Sequence, residues 1–147
     1  VMSAKEIKAL YRRWAEELSK GKAAAMAVID ELYAPDFVEH GAPGEDTHGV
    51  KDFKKSVSDL YSAFPDIHLT IDDMVVEGDK VAVRVTESGT HKGEFMGIPP
   101  TNKKWTVWGI FIDRVAGGKI VEEWGVSDLT LSVMKQLGLT PTWEKAK

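Results

Sequence analysis

The sequence predicts an α+β domain, with N-terminal helices packed on one face of a curved antiparallel β-sheet. Three observations carry this. From Ser3 to Ala63 apolar residues recur at helical spacing; from Ile67 onward the period shortens to two; and the strand-like segments follow one another through glycine turns. A strongly curved sheet wrapped around a helix leaves a cone with an open mouth. A chain of 147 residues supplies one domain, residues 1–147, with a core and room for a central pocket.

The first helix opens on Ser3 with Glu6 three residues later, a capping box, and carries Ile7, Leu10, Trp14 and Leu18 on one face until about Gly21. A second, alanine-rich helix runs from about Lys22 to Leu32 or Tyr33, with Met26, Ile29 and Tyr33 on one side and Pro35 as its stop. Phe37 to His40 is a short extended piece, followed by a loop dense in Gly, Pro and Asp. Val50, Phe53, Val57, Leu60 and Tyr61 mark a third helix, ended by Phe64-Pro65-Asp66. Four strands follow: Ile67 to Val76, Lys80 to about Thr90, Trp105 to Val115, and Lys119 to Val126. Turns at Glu77 to Asp79 and Ala116 to Gly118, and the longer loop Lys92 to Lys104, make them a consecutive antiparallel meander. A last helix contains Leu131, Met134 and Leu137 and stops near Gly138; beyond it a polar tail from Thr140 is expected to fray, with Trp143 as a docking residue.

Composition removes several functional classes. With 19 Lys plus Arg against 23 Asp plus Glu and no basic cluster, nucleic acid is not an expected partner. No cysteine is present, so disulfides, thiolate nucleophiles and cysteine-based metal sites are out. No apolar run reaches the roughly 20 residues needed to cross a bilayer, and VMSAKEIKAL has no signal-peptide pattern, so no membrane and a cytoplasmic location are expected. The four histidines lack zinc-ligand spacing, and no dinucleotide, P-loop, GxSxG or calcium-loop motif occurs. Neither a metal nor another cofactor is expected. Acid/base chemistry without a cofactor, or ligand binding alone, remains.

The candidate site residues cluster toward strand ends. Asp128 closes a strand on which Glu122, Trp124, Val126 and Asp128 share a face; beside apolar walls its carboxyl would be desolvated and able to exchange protons near neutrality. Its other reading is an N-cap of the last helix. Arg84, in VAVRV, either braces the sheet through Glu122 or Glu87 or holds a substrate carbonyl. His40 and His91 stand at strand ends where each faces either a cavity mouth or solvent, and His48 and His68 read as surface residues. Trp105, Trp108 and Trp124 supply more aromatic surface than a small core requires, so Trp108 and Trp124 read equally as pocket wall and as core. The expected site thus has Asp128, His40 and His91 as catalytic groups and Arg84, Trp108, Trp124 and Phe37 as substrate-binding groups.

The pieces APDFVEHGAPG, FPDIHLTIDDMVVEGDKVAVRVTESGTHKGEFMGIPPT and FIDRVAGGKIVEEWGVSDLTLSVMKQLG together resemble the SnoaL-like polyketide cyclases, within the nuclear transport factor 2-like superfamily. The resemblance covers nearly the whole chain; the one departure is Asn102, where the family has glycine after PPT, and asparagine accepts the same left-handed turn. It implies a conical α+β barrel around a hydrophobic pocket, commonly a homodimer through the sheet's outer surface, and an intramolecular aldol condensation run without metal or cofactor by an aspartate. Asp128, after GKIVEEW, matches that aspartate. Isomerisation, dehydration or epoxide hydrolysis on the same fold, or a non-catalytic small-molecule-binding module, are the alternatives.

Overall fold

The computed structural model describes residues 1–139, so the tail from Thr140 with Trp143 lies outside the described residues. Helices α1 (Ala4–Ser19) and α2 (Lys22–Leu32) lead directly into strand β1 (Tyr33–His40). A two-residue strand β2 (Thr47–His48), helix α3 (Val50–Ala63), strands β3 (His68–Glu77), β4 (Lys80–Thr90), β5 (Lys104–Ala116) and β6 (Lys119–Ser127), and helix α4 (Leu131–Gln136) complete the chain. The Ser3 hydroxyl caps α1 by accepting from the Glu6 N–H at 3.2 Å, as the capping box requires. The Lys119 ammonium donates to the Glu31 carbonyl at 2.8 Å, satisfying an orphan acceptor in the last turn of α2.

The six strands form one curved sheet in the order β2-β1-β6-β5-β4-β3. β3 to β6 are the expected antiparallel meander. β1 is longer than the sequence suggests and joins β6 in parallel, with Glu39 beside Glu123 and His40 beside Trp124, which makes the sheet mixed. Pro35 therefore sits inside a strand rather than merely stopping a helix. It is tolerated because the ladder to β6 shifts register between Tyr33 and Val38.

Alternation on the long strands assigns the faces. Val81, Val83, Val85 and Glu87 of β4 and Trp105, Val107, Asp113 and Val115 of β5 are buried against the helices. Trp14, Tyr33, Phe37 and Phe53 form an aromatic knot where α1, β1 and α3 meet, with ring centroids 4.8 Å apart for Tyr33 and Phe53 and 4.9 Å for Phe37 and Phe53. Ser19 ties the end of α1 to β3 by accepting from the Leu69 N–H at 3.1 Å. Helices on the concave side and a meander around them leave an interior cavity.

Candidate active site in the sheet interior

The interior cavity, about 230 Å³, is lined by apolar side chains including Trp14, Leu18, Phe53, Val57 and Phe111, and by Tyr11, Ser127 and three carboxyl groups, Glu39, Glu87 and Glu123. Two of these acids belong to one row across the sheet. Glu39 on β1 is in register with Glu123 on β6, and Glu123 is in register with Asp113 on β5. Directly opposed residues on one sheet face hold their side chains in contact. Three carboxyl groups are thereby placed side by side at one level, with Asp113 fully buried behind Glu123.

Such an arrangement holds protons tightly. Burial raises the Glu123 carboxyl well above the ordinary carboxylate range, and the neighbouring charges of Asp113 and Glu39 raise it further. Burial pushes Asp113 up to about 7, against a hydrogen bond with Glu123 that pulls the other way. Both Asp113 oxygens are buried and, as a carboxylate, find no donor among the described residues. A proton shared between Asp113 and Glu123 supplies the missing bond, so the pair titrates as a unit. Burial also raises Glu39. The phenols of Tyr11 and Tyr33 are raised well above their ordinary value by burial and by these same negative charges.

Glu87 stands apart. It is 5 % exposed on the inner face of β4, lines the cavity, and is pushed up to about 7 by burial alone.

The residues expected from sequence fall elsewhere. Asp128 is exposed, with Oδ1 accepting from the Ser132 N–H at 3.1 Å at the start of α4, while Ser127 and Leu129 on either side of it line the cavity. Trp108 is 62 % exposed and Trp124 is exposed, both on the outer sheet face. Arg84 also points outward, and its neighbour is Asp72 at 3.6 Å rather than Glu122 or Glu87. The strand parity that buries Val83 and Val85 puts Arg84 outside. His40 stacks on Trp124 at 4.8 Å, with Nε2 2.8 Å from Glu122 and Nδ1 3.3 Å from Asp46; the Glu122 bond raises its pKa. Arg114 donates to the same Glu122 at 2.8 Å, which closes an outer-face network. His91 is fully buried but borders Phe64 and Phe95, with Nδ1 3.0 Å from the Thr101 hydroxyl, and Phe37 is buried in the aromatic knot; neither lines the cavity. The structure brings His40 and Trp124 together on the outside and collects none of the seven in the cavity.

Glu39, Asp113 and Glu123 were not singled out by the sequence, and Glu87 only as a partner for Arg84. Their signal is an acid at the same parity as buried valines, visible for Glu87 after Val81, Val83 and Val85. Among the described residues no group of three or more His, Asp or Glu is arranged to hold a metal ion, and no helix is long and apolar enough to cross a membrane.

Comparison with known proteins places this architecture. The SnoaL-like polyketide cyclase family matches residues 8–137. No functionally curated protein matches the chain. Among solved structures, IdmH of Streptomyces antibioticus, a proposed polyketide cyclase, is 32% identical with a TM-score of 0.72, covering 92% of this chain and 98% of its own. AclR of Streptomyces galilaeus, a proposed hydroxylase, is 29% identical with a TM-score of 0.83 over 95% of this chain and 100% of its own. A SnoaL-like protein from Jannaschia reaches a TM-score of 0.84 over 96% of this chain and 99% of its own; at 23% identity it speaks for the fold alone.

Proposed function

The chain belongs to the SnoaL-like polyketide cyclase family, and from that premise we propose that it is a cofactor-independent acid/base enzyme acting on a small apolar carbonyl compound. The observation that carries the reading is the in-register row Glu39, Glu123 and Asp113 at the wall of an apolar cavity. We assign the acid/base role to Glu123, which faces the cavity, with Asp113 behind it as the group that shares its proton. Asp128, expected in that role, is exposed.

A pair that holds one proton near neutrality offers both halves of the reaction. The carboxylate form takes a proton from carbon next to the substrate carbonyl, and the electrons pass into the enolate. The enolate carbon attacks a second carbonyl, and the carboxylic acid returns its proton to the new alkoxide. This is an aldol ring closure with no net change in protons. Apolar walls of Trp14, Phe53 and Phe111 keep water from quenching the enolate.

Epoxide hydrolysis through two carboxylates and an arginine has less support, since Arg84 and Arg114 pair with Asp72 and Glu122 on the outer face. A purely ligand-binding module is favoured by the exposed Asp128, which only accepts from the Ser132 N–H of α4, but not by the open cavity.

Proton abstraction is measured as deuterium uptake from solvent at the α-carbon of β-tetralone, followed by proton NMR. We expect Glu123→Gln to slow exchange by at least about 100-fold and Asp128→Asn to leave it within about twofold. The opposite pattern returns the role to Asp128, and no exchange above background in the wild type removes the proposal. Homodimerisation through the outer sheet face belongs to the same reading. Trp108, Ile110 and Ile112 of β5 with Trp124 and Val126 of β6 form a contiguous exposed apolar surface there.

A further inference from the structure

The reaction just described uses Glu123 and Asp113, in the row they share with Glu39, and leaves Glu87 unemployed. Glu87 is in register with Leu69 on β3 and Val107 on β5, six residues along β5 from Asp113 and two strands away from Glu123. It and the Glu39–Glu123 pair are therefore separate carboxyl positions in the wall of one cavity, with Phe111 between them on β5. The Tyr11 phenol lines the same cavity, and burial and the charges of Asp113, Glu123 and Glu87 all raise its pKa.

A buried carboxyl group normally has a protein donor or an ion partner. Glu87 makes no hydrogen bond or ion pair with a described residue, and burial raises its pKa. Glu87 lines the cavity instead. No Lys, Arg or His lines that cavity, so every ionisable lining group other than Tyr11 is an acid.

We propose that Glu87 is a specificity-determining residue that anchors the far end of an elongated, uncharged substrate by a hydrogen bond to a hydroxyl or carbonyl oxygen. The inference rests on the cavity being the substrate site. Its chemistry has two consequences. A substrate with oxygen only at the reacting end leaves Glu87 unpaired in an apolar wall, which weakens binding. A substrate carrying a carboxylate or phosphate meets only acids and no countercharge in a low-dielectric space, and is rejected.

The test compares β-tetralone with its ring-hydroxylated and ring-carboxylated derivatives by isothermal titration calorimetry on the wild type, Glu87→Gln and Glu87→Leu. In the wild type the hydroxylated ketone is expected to bind about tenfold tighter than β-tetralone, and the carboxylated one at least about tenfold weaker. Glu87→Gln, which still donates and accepts, should keep most of the preference for the hydroxyl and relax the rejection of the carboxylate. Glu87→Leu should bind β-tetralone and its hydroxylated derivative equally. Wild-type protein that binds neither ketone, or does not distinguish them, overturns the inference, as does an undiminished preference in Glu87→Leu. Deuterium exchange into unsubstituted β-tetralone keeps the two proposals apart. Exchange without discrimination defeats the role of Glu87 alone, and discrimination without exchange defeats the acid/base assignment alone.

Discussion

Asp113 is the residue whose environment has the plainest physical consequence. Its carboxyl is fully buried and pushed up to about 7, and Glu87 is pushed to the same value. Both folded values lie above those of the unfolded chain, so between about pH 4 and pH 7 the native state holds protons that the unfolded state has released. Stability then falls as pH rises, since the unfolded state binds fewer protons in that window. The contribution is present on the acid side and lost through about pH 7. His40, raised by its bond to Glu122, adds a smaller term of the same sign from the surface. Thermal denaturation followed by circular dichroism should give a melting temperature that drops between about pH 5 and pH 8. Asp113→Asn, which cannot ionise, should flatten that drop and raise stability most at the alkaline end. A melting temperature that climbs over this range would refute the buried-acid account.

At the scale of the element, β6 explains how the sequence was both legible and misleading. The helix at Ala4–Ser19, the third helix and the four meander strands lie within a residue or two of where periodicity and turn chemistry put them. The face of each strand was harder to read. On β6 the outer residues are Glu122, Trp124 and Val126, with Asp128 just past the strand's end, while the inner ones are Glu123, Gly125 and Ser127, so the apolar side faces out and the polar side faces in. The usual rule of apolar-in therefore points to the outer face, and with it to Asp128 rather than to the inward-facing Glu123. The parallel pairing of β1 with β6 was invisible for another reason, because nothing local records a contact between Glu39 and Glu123. Gly125 shows why the inner face is polar or small. A Cβ placed there would stand 2.2 Å from Cδ1 of Phe111, whose ring crosses the glycine and lines the cavity. Gly125→Ala should force that ring aside, costing about 1–3 kcal/mol of stability and weakening β-tetralone binding. Unchanged melting and unchanged calorimetry would mean that the ring moves freely.

For the whole molecule, the inverted faces make sense if the outer surface is itself buried. Trp108 at 62 % and Val126 at 71 % exposure, with Ile110, Ile112 and Trp124 between and beside them, exceed what a solitary domain commonly leaves to water in one patch. The charged network of Arg114, Glu122, His40 and Asp46 borders it, as a polar rim borders an apolar interface core. A second copy using the same face would cover the patch and free the inner face from having to supply all the apolar burial, so that acids can line the cavity. In a two-fold interface a substituted residue enters twice, so a charge on β5 is buried without a partner at two places in a dry contact. Ile110→Glu should accordingly convert a dimer of twice 16.2 kDa into a monomer by light scattering coupled to gel filtration. Because Phe111, the neighbour of Ile110 on β5, lines the cavity on the opposite side of the sheet, the monomer should keep its cavity and its deuterium exchange into β-tetralone. A wild-type mass of one chain, or an Ile110→Glu variant that stays dimeric, would show that this face is not the interface.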